Sequence, residues 1–147
     1  MHRISDIRMG GVSTRNLRMF RKLCGDDSLK NVVIVTNMWG KVTEEEGNER
    51  EKQLASEDKF FKPILDQGGQ IARHYNTEKS AQAILMRMIQ NQPKALDIQV
   101  GLVDLGLNLG QTAAGEELLR GLLELQRQLL QGAWRNQGRD PSSKRGT

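Results

Sequence analysis

The residues best placed to do chemistry form the run Thr36-Asn37-Met38-Trp39-Gly40, within a chain of 147 residues. It follows Asn31-Val32-Val33-Ile34-Val35, whose unbroken β-branched stretch predicts a strand buried on both faces, the habit of parallel sheets sheathed by helices. Open α/β sheets hold their ligands at the carboxyl edge of such strands. The strand is therefore scaffold, and the loop after it is the candidate site. Other chemistries find little support. His2 and His74, with scattered acids, show no metal-ligand spacing. No Ser/His/Asp order suggests nucleophilic catalysis. Cys24, the single cysteine, sits between Leu23 and Gly25 at the end of a helical stripe and reads as a small buried hydrophobe.

The elements around the site can be placed by pattern. Met1 to Ile4 reads as the end of a strand, and Ser5-Asp6 with Gly10-Gly11 as a turn-prone loop. Ser13 or Thr14 can cap a helix carrying Leu17, Phe20 and Leu23, which Gly25 ends. A second helix is expected from about Glu49 to Asp66, burying Leu54, Phe61, Ile64 and Leu65, with Pro63 as a kink or break. Glu44-Glu45-Glu46 reads as a solvated loop or a first helical turn. Gln70 to Tyr75 is short enough for one more strand. Thr77 caps an amphipathic helix with Ala81, Ile84, Leu85, Met88 and Ile89 on one stripe, closed by Pro93. Val100 to Leu105 suits a short helix. Thr112 caps a final helix through about Trp134, where Leu118, Leu122, Leu125 and Leu129 recur at spacings of four and three. That helix either packs on its own domain or serves a partner or a second copy. The expected division is 1–93, a helical extension 94–135, and a tail 136–147 with no apolar anchor that reads as disordered.

Composition bounds the partners. Net charge is +4, but residues 1–30 hold seven Arg/Lys and three Asp while residues 41–66 hold five basic and eight acidic residues. Basic ends around an acidic middle make no continuous stripe, and aromatics for base stacking are only 4%, so nucleic acid is not the expected partner. Nothing approaches the roughly 18 apolar residues of a membrane span. One cysteine excludes an internal disulfide and fits a reducing compartment, so a cytoplasmic location is expected.

Guanine recognition in GTP-binding domains uses Asn-Lys-x-Asp just beyond a buried strand. The Asn ties loops together and contacts the base, the Lys stem covers the ring, and the Asp accepts from the base. Here the register gives Asn37-Met38-Trp39-Gly40. Asn37 matches, Met38 can cover a ring with its apolar body, and Gly40 cannot replace the carboxylate. Two readings stay open: the loop binds a base, or Thr36 and Asn37 turn the chain while Trp39 packs against the next helix.

A wider set of blocks carries a resemblance. Arg-Ile-Ser-Asp-Ile-Arg-Met-Gly-Gly (3–11), Arg-Met-Phe-Arg-Lys-Leu-Cys-Gly-Asp-Asp (18–27), Asn-Val-Val-Ile-Val-Thr-Asn-Met-Trp-Gly (31–40), Asn-Thr-Glu-Lys-Ser-Ala (76–81) and Gln-Thr-Ala-Ala-Gly-Glu-Glu-Leu (111–118) together resemble the C-terminal half of a G-domain family abundant in fungi. That family is a P-loop GTPase family similar to the septin and avirulence-induced GTPases. The resemblance covers roughly residues 2–125. It implies a partial three-layer α/β/α P-loop NTPase-like domain with few parallel strands plus C-terminal helices. Met1–Ile4, 32–36 and 70–74 would be its fourth, fifth and sixth strands. It also implies that Arg73 and His74 lie at the last nucleotide-contacting loop, beside Asn37, Met38 and Trp39.

The rest of that family's chemistry is missing from these residues. There is no Gly-x-x-x-x-Gly-Lys-Ser/Thr to cradle phosphates, and the Asp-x-x-Gly that would hold magnesium from the other side reads as missing too. Three expectations follow. The chain is a truncated GTP-binding-domain protein with no hydrolysis of its own, GTP and magnesium belonging to the absent half; or it is part of a longer active GTPase; or it is a support for the leucine helix 112–134, which binds a protein partner or self-associates. A sheet halved in this way should end in an unpaired edge with uncovered apolar surface.

Overall fold

The structure is a computed structural model that describes residues 1–7 and 9–137. It is a mixed α/β fold, mostly helical, around a small parallel sheet of three strands. Strands β1 (His2–Arg3), β2 (Val33–Asn37) and β3 (Gln70–Arg73) lie in the order β1-β2-β3. His2 pairs with Thr36 and Arg3 with Asn37, while Val33 to Thr36 run beside Gln70 to Arg73. The two strands expected to flank Val33–Asn37 therefore do so. The burial expectation needs correction, because β2 alternates: Ile34 and Thr36 are buried, Val33 and Val35 only half so. Small sheets leave one face thinly covered, and a β-branched run cannot reveal that.

Between the strands run α1 (Gly11–Cys24), α2 (Glu44–Ser56) and α3 (Lys62–Asp66); α4 (Glu78–Ile89), α5 (Asp97–Gln99) and α6 (Ala113–Gln137) follow. Neither Ser13 nor Thr14 caps α1. Gly10, in an extended conformation, is the N-cap, and the Thr14 hydroxyl donates back to the Gly10 carbonyl at 3.2 Å. Gly25 does end the helix, at φ 74°, and a side chain there would collide with the Asp97 carboxylate. The helix expected over 49–66 is two helices. The first begins at Glu44 because Thr43 and Glu46 form a capping box, each accepting the other's backbone N–H at 3.2 Å. Pro63 falls in the first turn of the second, where its missing N–H costs nothing.

α4 is capped as expected, the Thr77 hydroxyl accepting from the Ser80 amide. Its stripe is not a core stripe: only Ile84 is buried, while Leu85, Met88 and Ile89 are exposed. The segment after Pro93 is tied back to the turn before β2. Ser28 Oγ donates to the Ala95 carbonyl at 3.1 Å, and Asn31 Nδ2 donates to the Gln92 carbonyl at 2.7 Å. α5 continues into a wide turn over Val100–Asp104, where the Leu105 amide reaches the Val100 carbonyl. Thr112 caps α6 by accepting from the Gly115 amide. Residues 136 and 137 belong to this helix, which corrects the start of the expected tail; the remainder of that tail, 138–147, lies outside the described residues.

The core gathers Ile4, Leu29, Ile34, Trp39, Phe61 and Ile64 with their neighbours. β1 has a strand partner on one side only among the described residues. A cleft of about 460 Å³ runs along it, lined by Met1, Leu17, Phe20, Val33, Phe61 and Ile64 among others. β3 likewise has one strand partner among the described residues, as both end strands of an open sheet do.

The entry to β3 tests how tightly this core is closed. A Cβ on Gly69 would sit 2.5 Å from Ile64 Cγ2 and 2.8 Å from the Ile64 carbonyl oxygen. Gly69→Ala is therefore expected to destabilise the fold by about 2 kcal/mol through overpacking. Gly121→Ala, where nothing lies within 4 Å, should stabilise α6 by about 1 kcal/mol. Urea unfolding midpoints at constant m-value would check both.

Candidate functional site

β2 ends on Asn37 and β3 on Arg73, and the parallel register sets Thr36 beside Arg73. The five candidates Asn37, Met38, Trp39, Arg73 and His74 thus stand at one carboxyl edge. Each takes a different role there.

Asn37 spends its backbone carbonyl on the Ile4 amide at 2.9 Å, which fastens the turn after β1. Its side-chain Oδ1 is enclosed and has no hydrogen-bond partner among the described residues. Met38 adopts a left-handed conformation, φ 64° and ψ 30°, that an unbranched side chain tolerates at a cost of about 1 kcal/mol. This kink lets Trp39–Lys41 turn tightly and leaves the Met38 side chain 42% exposed at the mouth of the loop.

Trp39 turns inward and is buried. Its indole N–H is shared between the Thr36 carbonyl and the Thr36 hydroxyl, both at 3.2 Å. Gly47 on α2 lies so close that a Cβ there would meet the ring at 2.6 Å. The Arg73 guanidinium stacks over the indole at 4.2 Å, and Tyr75 meets it at 6.0 Å between centroids. Trp39 thereby packs against the helix that follows it, and Met38 is the exposed apolar side chain of the loop.

Arg73 is fixed by Glu51 of α2, which accepts from both Nε and Nη2. That hydrogen bonding raises the guanidinium above its already high ordinary value, with burial opposing. The second Glu51 oxygen accepts from the Thr36 hydroxyl at 3.1 Å. The chain Arg73–Glu51–Thr36–Trp39 closes a ring of contacts across three elements. His74 donates its amide to the Thr36 carbonyl at 2.8 Å, and its Nδ1 lies 2.9 Å from Ser80 Oγ. The serine hydroxyl also reaches the Thr77 carbonyl at 2.8 Å and accepts from the Tyr75 amide at 3.2 Å, so Ser80 ties the turn 74–77 to the start of α4.

Glu51, Tyr75 and Ser80 complete the site and were not singled out from the sequence. Glu51 stands in a run with Glu44, Glu45, Glu46 and Glu49, and nothing local marks the one that turns inward. Ser80 had a signal, the Thr77-x-x-Ser80 spacing of a helix start.

Among the described residues no three His, Cys, Asp or Glu come together as metal ligands, and Glu51, the carboxylate of this edge, is committed to Arg73 and Thr36. The spacing Asp66-x-x-Gly69 lies at the opposite end of β3, with Asp66 held by Lys62 at 2.9 Å. No family model, curated protein or solved structure matches the chain.

Removing one member of the ring should expose its coupling. Arg73→Ala leaves Glu51, whose side chain is 15% exposed, without its cation, and is expected to cost about 2 kcal/mol or more. Glu51→Gln keeps hydrogen bonds to both partners and should cost about half that. Denaturant unfolding of the two variants distinguishes a coupled ring from isolated contacts.

Proposed function

We propose that these residues form the guanine-facing part of a G-domain: a base-side wall without the parts that cradle a triphosphate. The observation that supports this reading is the parallel order β1-β2-β3, which gathers Asn37, Met38, Arg73 and His74 at one carboxyl edge. The family blocks in the sequence point the same way.

In this reading the exposed Met38 side chain covers the ring, and the enclosed, unpartnered Asn37 Oδ1 accepts from a purine only after the loop around it shifts. His74 and Tyr75 border the same mouth. Arg73 keeps Trp39 and Glu51 in place and does not meet the base. Gly40 supplies no carboxylate, so discrimination between guanine and adenine is weak. Phosphate contacts provide much of a nucleotide's binding energy, and Gly-x-x-x-x-Gly-Lys-Ser/Thr is absent from these residues. This chain alone is accordingly not a GTPase.

Two measurements test the proposal. Isothermal titration with GTP, GDP and ATP should show binding no tighter than about 1 mM, equivalent to roughly 4 kcal/mol. Micromolar, magnesium-dependent GTP binding would overturn the claim that the phosphate side is missing. Amide shifts induced by about 10 mM guanosine monophosphate should cluster at residues 37–40 and 73–75, with dissociation in the weak range implied above. Shifts confined to other surfaces, or none at all, would overturn the base-wall assignment.

A further inference from the structure

α6 is anchored at its start and bare afterwards. Ala114 and Glu117 are buried, Glu117 meeting Arg18 of α1 at 3.5 Å, and Gly115 is pressed against the Leu109 carbonyl. From Leu118 onward every leucine is about half exposed or more. Leu118 and Leu125 look toward α1 across a cleft of about 290 Å³ that Arg15 and Met19 also line.

The free face starts at Leu122, which also lines that cleft, and turns away from it. At about 100° per residue, Leu119, Leu122, Leu123, Gln126, Leu129 and Leu130 occupy roughly 120° of arc. Glu116, Arg127, Arg120 and Glu124, two acids and two bases, lie along one flank of this face, roughly 80° to 160° round from Gln126. The leucines are arranged symmetrically about Gln126: Leu122 and Leu123 precede it by four and three residues, and Leu130 and Leu129 follow it by four and three.

We propose that this face pairs antiparallel with the same face of a second copy of the chain, about a two-fold axis at Gln126. Leu122 of one copy then meets Leu130 of the other, Leu123 meets Leu129, and the two Gln126 amides meet each other. An amide both donates and accepts, so it satisfies its own copy, and a polar residue at the centre of an apolar seam fixes register.

Three features favour this occupant. The five leucines together expose roughly 500 Å² per copy, an area suited to a weak, reversible pair rather than a standard-size interface. The face carries no charge, so it complements itself and offers nothing to select a charged partner. The polar side is balanced rather than rich in Lys and Arg, unlike helices that lie on anionic membranes. The inference does not rest on the nucleotide reading.

Sedimentation equilibrium of the full chain should show a reversible monomer–dimer equilibrium. Leu123→Glu should raise the dissociation constant roughly tenfold or more while far-ultraviolet circular dichroism stays unchanged, since Leu123 is 60% exposed. Gln126→Cys should oxidise readily to a cross-linked dimer; Leu119→Cys should not, as two copies of residue 119 lie far apart. A monomer at all concentrations, a dimer indifferent to Leu123→Glu, or equal cross-linking at 119 and 126 would each overturn the proposal. So would a monomer that co-sediments with phosphatidylserine vesicles through the same leucines.

Discussion

The carboxyl end of β2 is held by a single hydroxyl. Thr36 is fully buried, its Oγ1 donates to Glu51, and the same oxygen accepts from the Trp39 indole. Its carbonyl takes the His74 amide. Buried polar groups cost free energy unless paired, so each of these groups constrains the others. Thr36 makes the inward turn of Trp39 affordable, Trp39 gives Arg73 a surface to stack on, and Glu51 fixes Arg73 there. The loops that border the edge inherit their positions from this arrangement.

That arrangement separates two roles that the sequence places side by side. Trp39 and Arg73 belong to the scaffold, whereas Met38 and the Asn37 side chain remain turned outward or unspent. Between them the backbone passes through the left-handed region at Met38, which is how adjacent residues come to face in opposite senses. A neighbouring pair of polar and aromatic residues at a sheet edge thus need not act on the same object.

Much of the fold was legible because its signals are local. Gly25, Thr77 and Thr112 announce helix ends through hydrogen bonds spanning a few residues, and all three act where the pattern puts them. The strand at 33–37 follows from composition, whereas its two parallel neighbours were what the family resemblance implied. What failed was covering: the stripe Leu85, Met88 and Ile89 shares a face, as periodicity says, but periodicity carries no information on what packs against that face. The same limit applied to the half-covered side of β2. At the site, Asn37 and Met38 could be picked out from their position after a buried strand. Glu51 could not, because its importance comes from a fold in which α2 crosses the edge of the sheet, and its neighbours in sequence are chemically identical.

The shortness of β1 carries a further consequence. Two paired residues at the chain's beginning close a segment of some thirty residues back to β2, and loop closure of that length has an entropic cost that few ladder bonds can offset. Local opening should therefore begin there, with His2 and Arg3 detaching while β2 and β3 stay paired. What limits the opening is Ile4, fully buried one residue further on, so fraying of this edge stops where the core begins.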